Sequence, residues 1–114
     1  MTIQFLQLFN PNQVDNAAPE TLYTVPATPT AIILRNGRIR FSNPTAGAVT
    51  IKAWAVPSGG AAADTNCFLP TASIAAAGYL DVDVPVLAAG GFIQAQAGAA
   101  ASISALCLDG FLQS

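Results

Sequence analysis

Between Val84 and Leu108 the chain runs for 25 residues without a charge. A stretch of that length can cross a bilayer as a helix, so its internal pattern decides between two very different proteins. Pro85, Gly90, Gly91 and Gly98 interrupt it, and its polar residues recur at every second position. Gln94 and Gln96 alternate with Ile93, Ala95 and Ala97, and Ser102 and Ser104 alternate with Ile103, Ala105 and Cys107. Period two is the signature of a strand with one buried and one wetted face. The stretch therefore predicts two β-strands, over 92–97 and 102–108, with the "AGAAA" of 97–101 turning between them. No membrane span is expected.

The same punctuation runs through the rest of the chain. Val-Pro closes a β-rich run at Val25-Pro26, Val56-Pro57 and Val84-Pro85, as suits a residue that cannot donate to a central ladder. Turn clusters stand at "NPNQ" (10–13), "NPTAG" (43–47), "PSGG" (57–60) and "AAGG" (88–91). The strands predicted between them are 2–9, 20–26, 30–42, 48–56, 66–75, 78–86, 91–97 and 102–112. No segment sustains a helical period, and the best helical candidate, 59–66, is at most a turn or two. About eight short, evenly spaced strands argue for an all-β, two-sheet β-sandwich or jelly roll with little or no helix. One strand slips in phase: Ile32 and Leu34 share one parity, Ile39 and Phe41 the other. A tight Asn36-Gly37 hairpin would set Arg35 opposite Arg38, a costly like-charge pair. One long strand with a bulge at Gly37 restores the phase without that cost.

The 114 residues suit a single domain, 1–114, in which 1–19 form an N-terminal arm or edge strand. Charged residues are 9% of the chain and hydrophobic ones 53%. That balance excludes disorder and leaves a bland surface prone to association. A life packed against other subunits, as a homo-oligomer or within a larger assembly, is the expectation. The net charge of −2 lacks the basic footprint of a nucleic-acid binder. The first residues have no basic region and no uninterrupted apolar run, so a signal peptide is not expected. Cys67 and Cys107 each sit in an apolar stretch and read as free thiols made in a reducing compartment.

Catalytic chemistry finds little to stand on. With no histidine, the commonest general base and zinc ligand are missing. Asp81 and Asp83 share a strand face, roughly 6.5–7 Å apart by strand rise, a glycosidase-like separation. Paired catalytic carboxylates come from different segments lining a cleft, however. Two acids alternating with Leu80, Val82 and Val84 describe the solvent face of a strand. The loops "DN" (15–16) and "DTN" (64–66) are too poor in acids for calcium, and no glycine run is followed by Lys-Ser/Thr. No enzyme activity, metal or cofactor is expected.

Interface candidates are more specific. Arg35, Arg38 and Arg40 are three of the four basic residues, and they read equally as a solvated strand face or as a docking patch for an acidic surface. Trp54 reads as core rather than as an interface anchor. In "MTIQFLQLF", Ile3, Phe5, Leu6, Leu8 and Phe9 put apolar residues on both faces of the first strand, and Ile3, Phe5, Leu8 and Phe9 are its interface candidates. Such a strand needs cover on both sides. It is either a docking or swapped strand or an inner strand of its own sandwich.

"ETLYTVPATPTAIIL", "RIRFSNPTAGAVTIKAWAVPSGG", "FLP" and "VPVLAAGGFIQAQA", in that order, resemble small structural proteins of tailed bacteriophages and prophages, over residues 20–110. Several such proteins resemble capsid decoration, or cement, proteins; others sit in tails or necks. The resemblance implies a β-sandwich virion component that binds the major capsid protein or other virion subunits. Its place would be the capsid surface, after assembly in the host bacterial cytoplasm. It transfers no catalytic motif. A tail or neck component, or a receptor- or carbohydrate-binding tail module, is the alternative.

Overall fold

Among the described residues every strand pairing is antiparallel, and the chain keeps crossing between two sheets. A computed structural model describes residues 2–114; Met1, the first residue of the expected arm, lies outside the described residues. The strands are β1 (Ile3–Phe5), β2 (Asn12–Gln13), β3 (Glu20–Thr24), β4 (Ile33–Ser42), β5 (Val49–Val56), β6 (Cys67–Ile74), β7 (Tyr79–Asp83), β8 (Leu87–Ala88), β9 (Phe92–Ala97) and β10 (Ser104–Gln113). One sheet has the order β1-β10-β4-β7, with β2 also on β10 and β8 also on β4; the other has the order β3-β9-β5-β6. Counting β1 with β2 and β7 with β8 as two interrupted strands leaves eight strand positions, four in each sheet. Their order is that of a jelly roll.

The inward positions are those that the alternation marks. Ile93, Ala95 and Ala97 of β9 and Ile51 and Ala53 of β5 face Leu34, Ile39 and Phe41 of β4 and Ala105 of β10 in one buried cluster between the sheets. The uncharged run thus holds the short strand β8, the strand β9 and the first half of β10, joined by turns. No helix among the described residues is long and apolar enough to cross a membrane.

β4 is one ten-residue strand, and the phase slip is absorbed as a bulge. Asn36 takes the left-handed conformation (φ 54°), which asparagine tolerates better than most residues. Gly37 supplies room instead: a Cβ there would lie 3.0 Å from Cβ of Val84. The partner strand β10 carries its own extra residue at Leu108, so the β4–β10 register, offset between Cys107 and Phe111, is the same at both ends.

Three expectations need correcting. The turn cluster 10–13 contains strand β2, because Asn12 and Gln13 pair with Ala105 and Ser104. In 88–91, Ala88 is already in β8, and the turn begins after it. Of the first predicted strand, 2–9, only Ile3–Phe5 is strand. The helical candidate reduces to a single 3-10 turn, Asp64–Asn66.

Trp54 is 6% exposed, yet it stands apart from the cluster between the sheets. It shares the outward face of β5 with Lys52, whose ammonium lies 5.6 Å from the ring centroid. The 3-10 turn packs against this strand, so Trp54 is buried on the outside of its sheet. Cys67 and Cys107 are free and half-buried, one in each sheet.

Candidate interface on the six-stranded sheet

The arginines share the outer face of this sheet because Leu34, Ile39 and Phe41 turn inward on either side of the bulge. Their neighbour on one side is β7, which sets Asp83 opposite Arg38 and Asp81 opposite Arg40. Arg40 donates two hydrogen bonds to Asp81, from Nε at 2.8 Å and from the guanidinium end at 3.0 Å. Its guanidinium also lies 4.2 Å from the Tyr79 ring centroid. Arg38 reaches Asp83 at 3.3 Å and Asp81 at 4.0 Å. The hydrogen bonds from Arg40, helped by the charges of Arg40 and Arg38, hold the Asp81 carboxyl below the usual aspartate range. The same bond pushes Arg40 up. Two of the three arginines are therefore spent on the two aspartates, and Asp81 is held firmly as a carboxylate. Arg35 has no ion-pair partner among the described residues and stands opposite Phe111 of β10.

The N-terminal segment divides into two parts. Ile3 and Phe5 lie on the outer face beside Gln113 and Phe111, 44% and 75% exposed, and the Phe5 and Phe111 rings meet at 5.3 Å. Leu8, by contrast, is buried in the core above Gly110, its amide directed at the Cys107 sulfur. Phe9 packs half-buried against the same cluster. Phe5, Leu6 and Gln7 meet the β10 bulge across an open groove of about 510 Å³, whose other wall is Cys107, Leu108, Asp109 and Gly110. A second groove, about 560 Å³, lies between the β4 bulge and Val86.

Sequence reasoning did not single out Phe111, Leu108 or Tyr79. Phe111 was within reach, since it precedes the inward Leu112 and must face out. Leu108, 41% exposed, is the extra residue of a bulge, and no sequence pattern marks that bulge. Among the described residues no group of three or more His, Cys, Asp or Glu is placed to hold a metal ion.

The fold and this face define a small antiparallel jelly-roll protein with an apolar, uncharged sheet edge. No protein-family model and no curated protein matches the sequence. Among solved structures, a chain from the structure of infectious bursal disease virus, Gx strain, is similar in fold, with a TM-score of 0.50 at 15% identity. The match covers 97% of this chain but only 31% of that one, so the present chain spans about a third of its length.

Proposed function

We propose that this chain is a structural protein of a virus particle and, within that class, a decoration subunit that binds and stabilises a major capsid protein lattice. The observation that carries the reading is the jelly roll that fills the whole chain. Viral capsid domains are built on this architecture, and a chain from a virus structure is similar to it across 97% of its length. Lectins and cupins share the architecture as well, so fold alone does not choose among them. The surface favours assembly over chemistry: Asp81 and Asp83 are tied to arginines, and several large apolar side chains, among them Ile3, Phe5 and Leu108, stand exposed. On this reading the protein is not an enzyme, and its partners are virion subunits.

The test is location and copy number in purified particles, by immunogold labelling and quantitative mass spectrometry. Hundreds of copies on the head are expected. A dozen or fewer at one vertex or along the tail would move the protein to the neck or tail, and absence from particles would overturn the proposal.

A further inference from the structure

A sheet edge is a row of unpaired N–H and C=O groups, and proteins that live as monomers blunt it with charge, proline or a bulge. Three of the four edges here are blunted in that way. β7 carries Asp81 and Asp83, with Pro85 beyond them. β3 opens with Pro19-Glu20 and carries a bulge, and β6 contains Pro70 and two irregularities. β1 itself has none of these, and Pro11 comes only beyond it, just before β2. The chain from Thr2 to Asn10 contains no charge and no proline.

The backbone of β1 shows what such an edge can accept. Thr2 and Ser114 exchange both hydrogen bonds, at 3.0 and 2.9 Å. Antiparallel ladders alternate bonded and non-bonded pairs, so Thr2 and Gln4 direct their amides and carbonyls at β10. Ile3 and Phe5 then direct theirs outward. These are also the residues whose apolar side chains stand exposed on the outer face.

We propose that the free edge of β1 pairs with the same edge of a second copy of this chain, antiparallel, about a two-fold axis through Gln4. Ile3 of each copy lies opposite Phe5 of the other, and both pairs are of the doubly hydrogen-bonded kind. The arrangement is self-complementary, as a two-fold interface requires. It brings Ile3, Phe5 and Phe111 of both copies into one apolar strip and sets no charge against a like charge, because the strand has none. Gln4 meets its own counterpart at a non-bonded position, where Cα atoms are about 4.5 Å apart. This contact between copies goes beyond binding to a capsid lattice and requires only the isolated chain.

The full-length protein should show a concentration-dependent dimer by sedimentation between micromolar and millimolar concentration. Ile3→Glu with Phe5→Glu places like charges directly opposite each other and should weaken the dimer by about tenfold or more. Ile3→Lys with Phe5→Glu places opposite charges in the same register and should restore it. Both sites are exposed, so each variant should keep the wild-type circular dichroism spectrum. Gln4→Cys should form an intermolecular disulfide on mild oxidation, since about 4.5 Å between Cα atoms suits one. Thr2→Cys should not, because its counterpart would lie about 13 Å away along the strand. A monomer at all concentrations with no Gln4→Cys crosslink overturns the proposal, as does a dimer that ignores the glutamates. If the double-glutamate variant leaves the solution mass unchanged but no longer binds particles, the edge takes a strand from another virion protein, and self-pairing is again wrong.

Discussion

The two edges of the six-stranded sheet are built from the same fold and treated in opposite ways. On one side β7 holds Asp81 and Asp83 against Arg40 and Arg38, and Pro85 interrupts the edge before β8. On the other side β1 is uncharged, and its outward residues are Ile3 and Phe5. Five of the chain's ten charged residues lie on β4 and β7, one lies on β10, and none lies on β1 or β2. A chain with 9% charge cannot protect its whole surface. The contrast teaches that its few charges are concentrated where they close one edge, which leaves the other open.

Each edge is also held by one buried side chain, and removing those two anchors should have the largest effects. Leu8 ties the N-terminal segment into the core above Gly110. Leu8→Ala should cost about 2–5 kcal/mol, the range for a buried leucine, measured by urea unfolding. Phe5→Ala, on the same segment but exposed, should change the stability of the monomer by less than about 0.5 kcal/mol. Equal effects at the two sites would erase the division between anchor and free edge.

At the other edge the anchor is polar. Asn43 is fully buried at the end of β4. Its amide group donates to the carbonyls of Gly47, Ile74 and Ala75 at 2.9, 3.0 and 3.3 Å. Its Oδ1 accepts from the backbone amide of Thr45 at 3.1 Å and from its hydroxyl at 2.6 Å. It thereby fastens the turn after β4 to the turn that leads into β7. Asn43→Ala strands buried acceptors, each worth about 1–3 kcal/mol when left unpaired. Because the turns can partly relax to water, a loss of about 2 kcal/mol is expected. Hydrogen exchange should speed up in β7 and leave β1 unchanged; the reverse pattern would break the comparison.

How far this contrast could be read from the sequence depends on which interaction sets each feature. Alternation is local, so the eight strand positions and the inward residues of β9 and β4 were legible. The bulge in β4 follows from a parity slip within that strand, and within it Asn36 takes the left-handed conformation. β2 looks like part of a turn in sequence because its two polar residues become strand only by pairing with Ala105 and Ser104 of β10, far along the chain. The arginine cluster was visible, but its partners were not, since the pairing of Asp81 with Arg40 is fixed by sheet order rather than by spacing. Leu8 and Phe5 looked alike in sequence; the turn of the chain after β1 buries one and exposes the other.

The smallest expected effect belongs to the closed edge and depends on pH. Asp81 has its folded pKa below the ordinary value because Arg40 donates to the carboxylate. For a carboxyl with a depressed pKa, the unfolded chain binds the proton first as pH falls. The stability it contributes is complete above the unfolded value of about 3.9 and is lost as pH drops through the folded one. Asp81→Asn removes that dependence and leaves Arg40 without its charge partner. Wild type should therefore exceed the variant by a constant small margin at neutral pH, and the margin should shrink below about pH 4. The pair is solvent-accessible, so added salt should shrink the margin as well. Acid unfolding curves of the two proteins, at low and high salt, measure this directly. The Ile3→Glu/Phe5→Glu variant should follow the wild-type acid curve in the Asp81 range when both are monomeric, because the introduced carboxyls stand at the opposite edge of the sheet. A margin between wild type and Asp81→Asn that grows toward acid would mean that the Arg40 bond does not lower the Asp81 pKa, and that β7 is held by its backbone ladder alone.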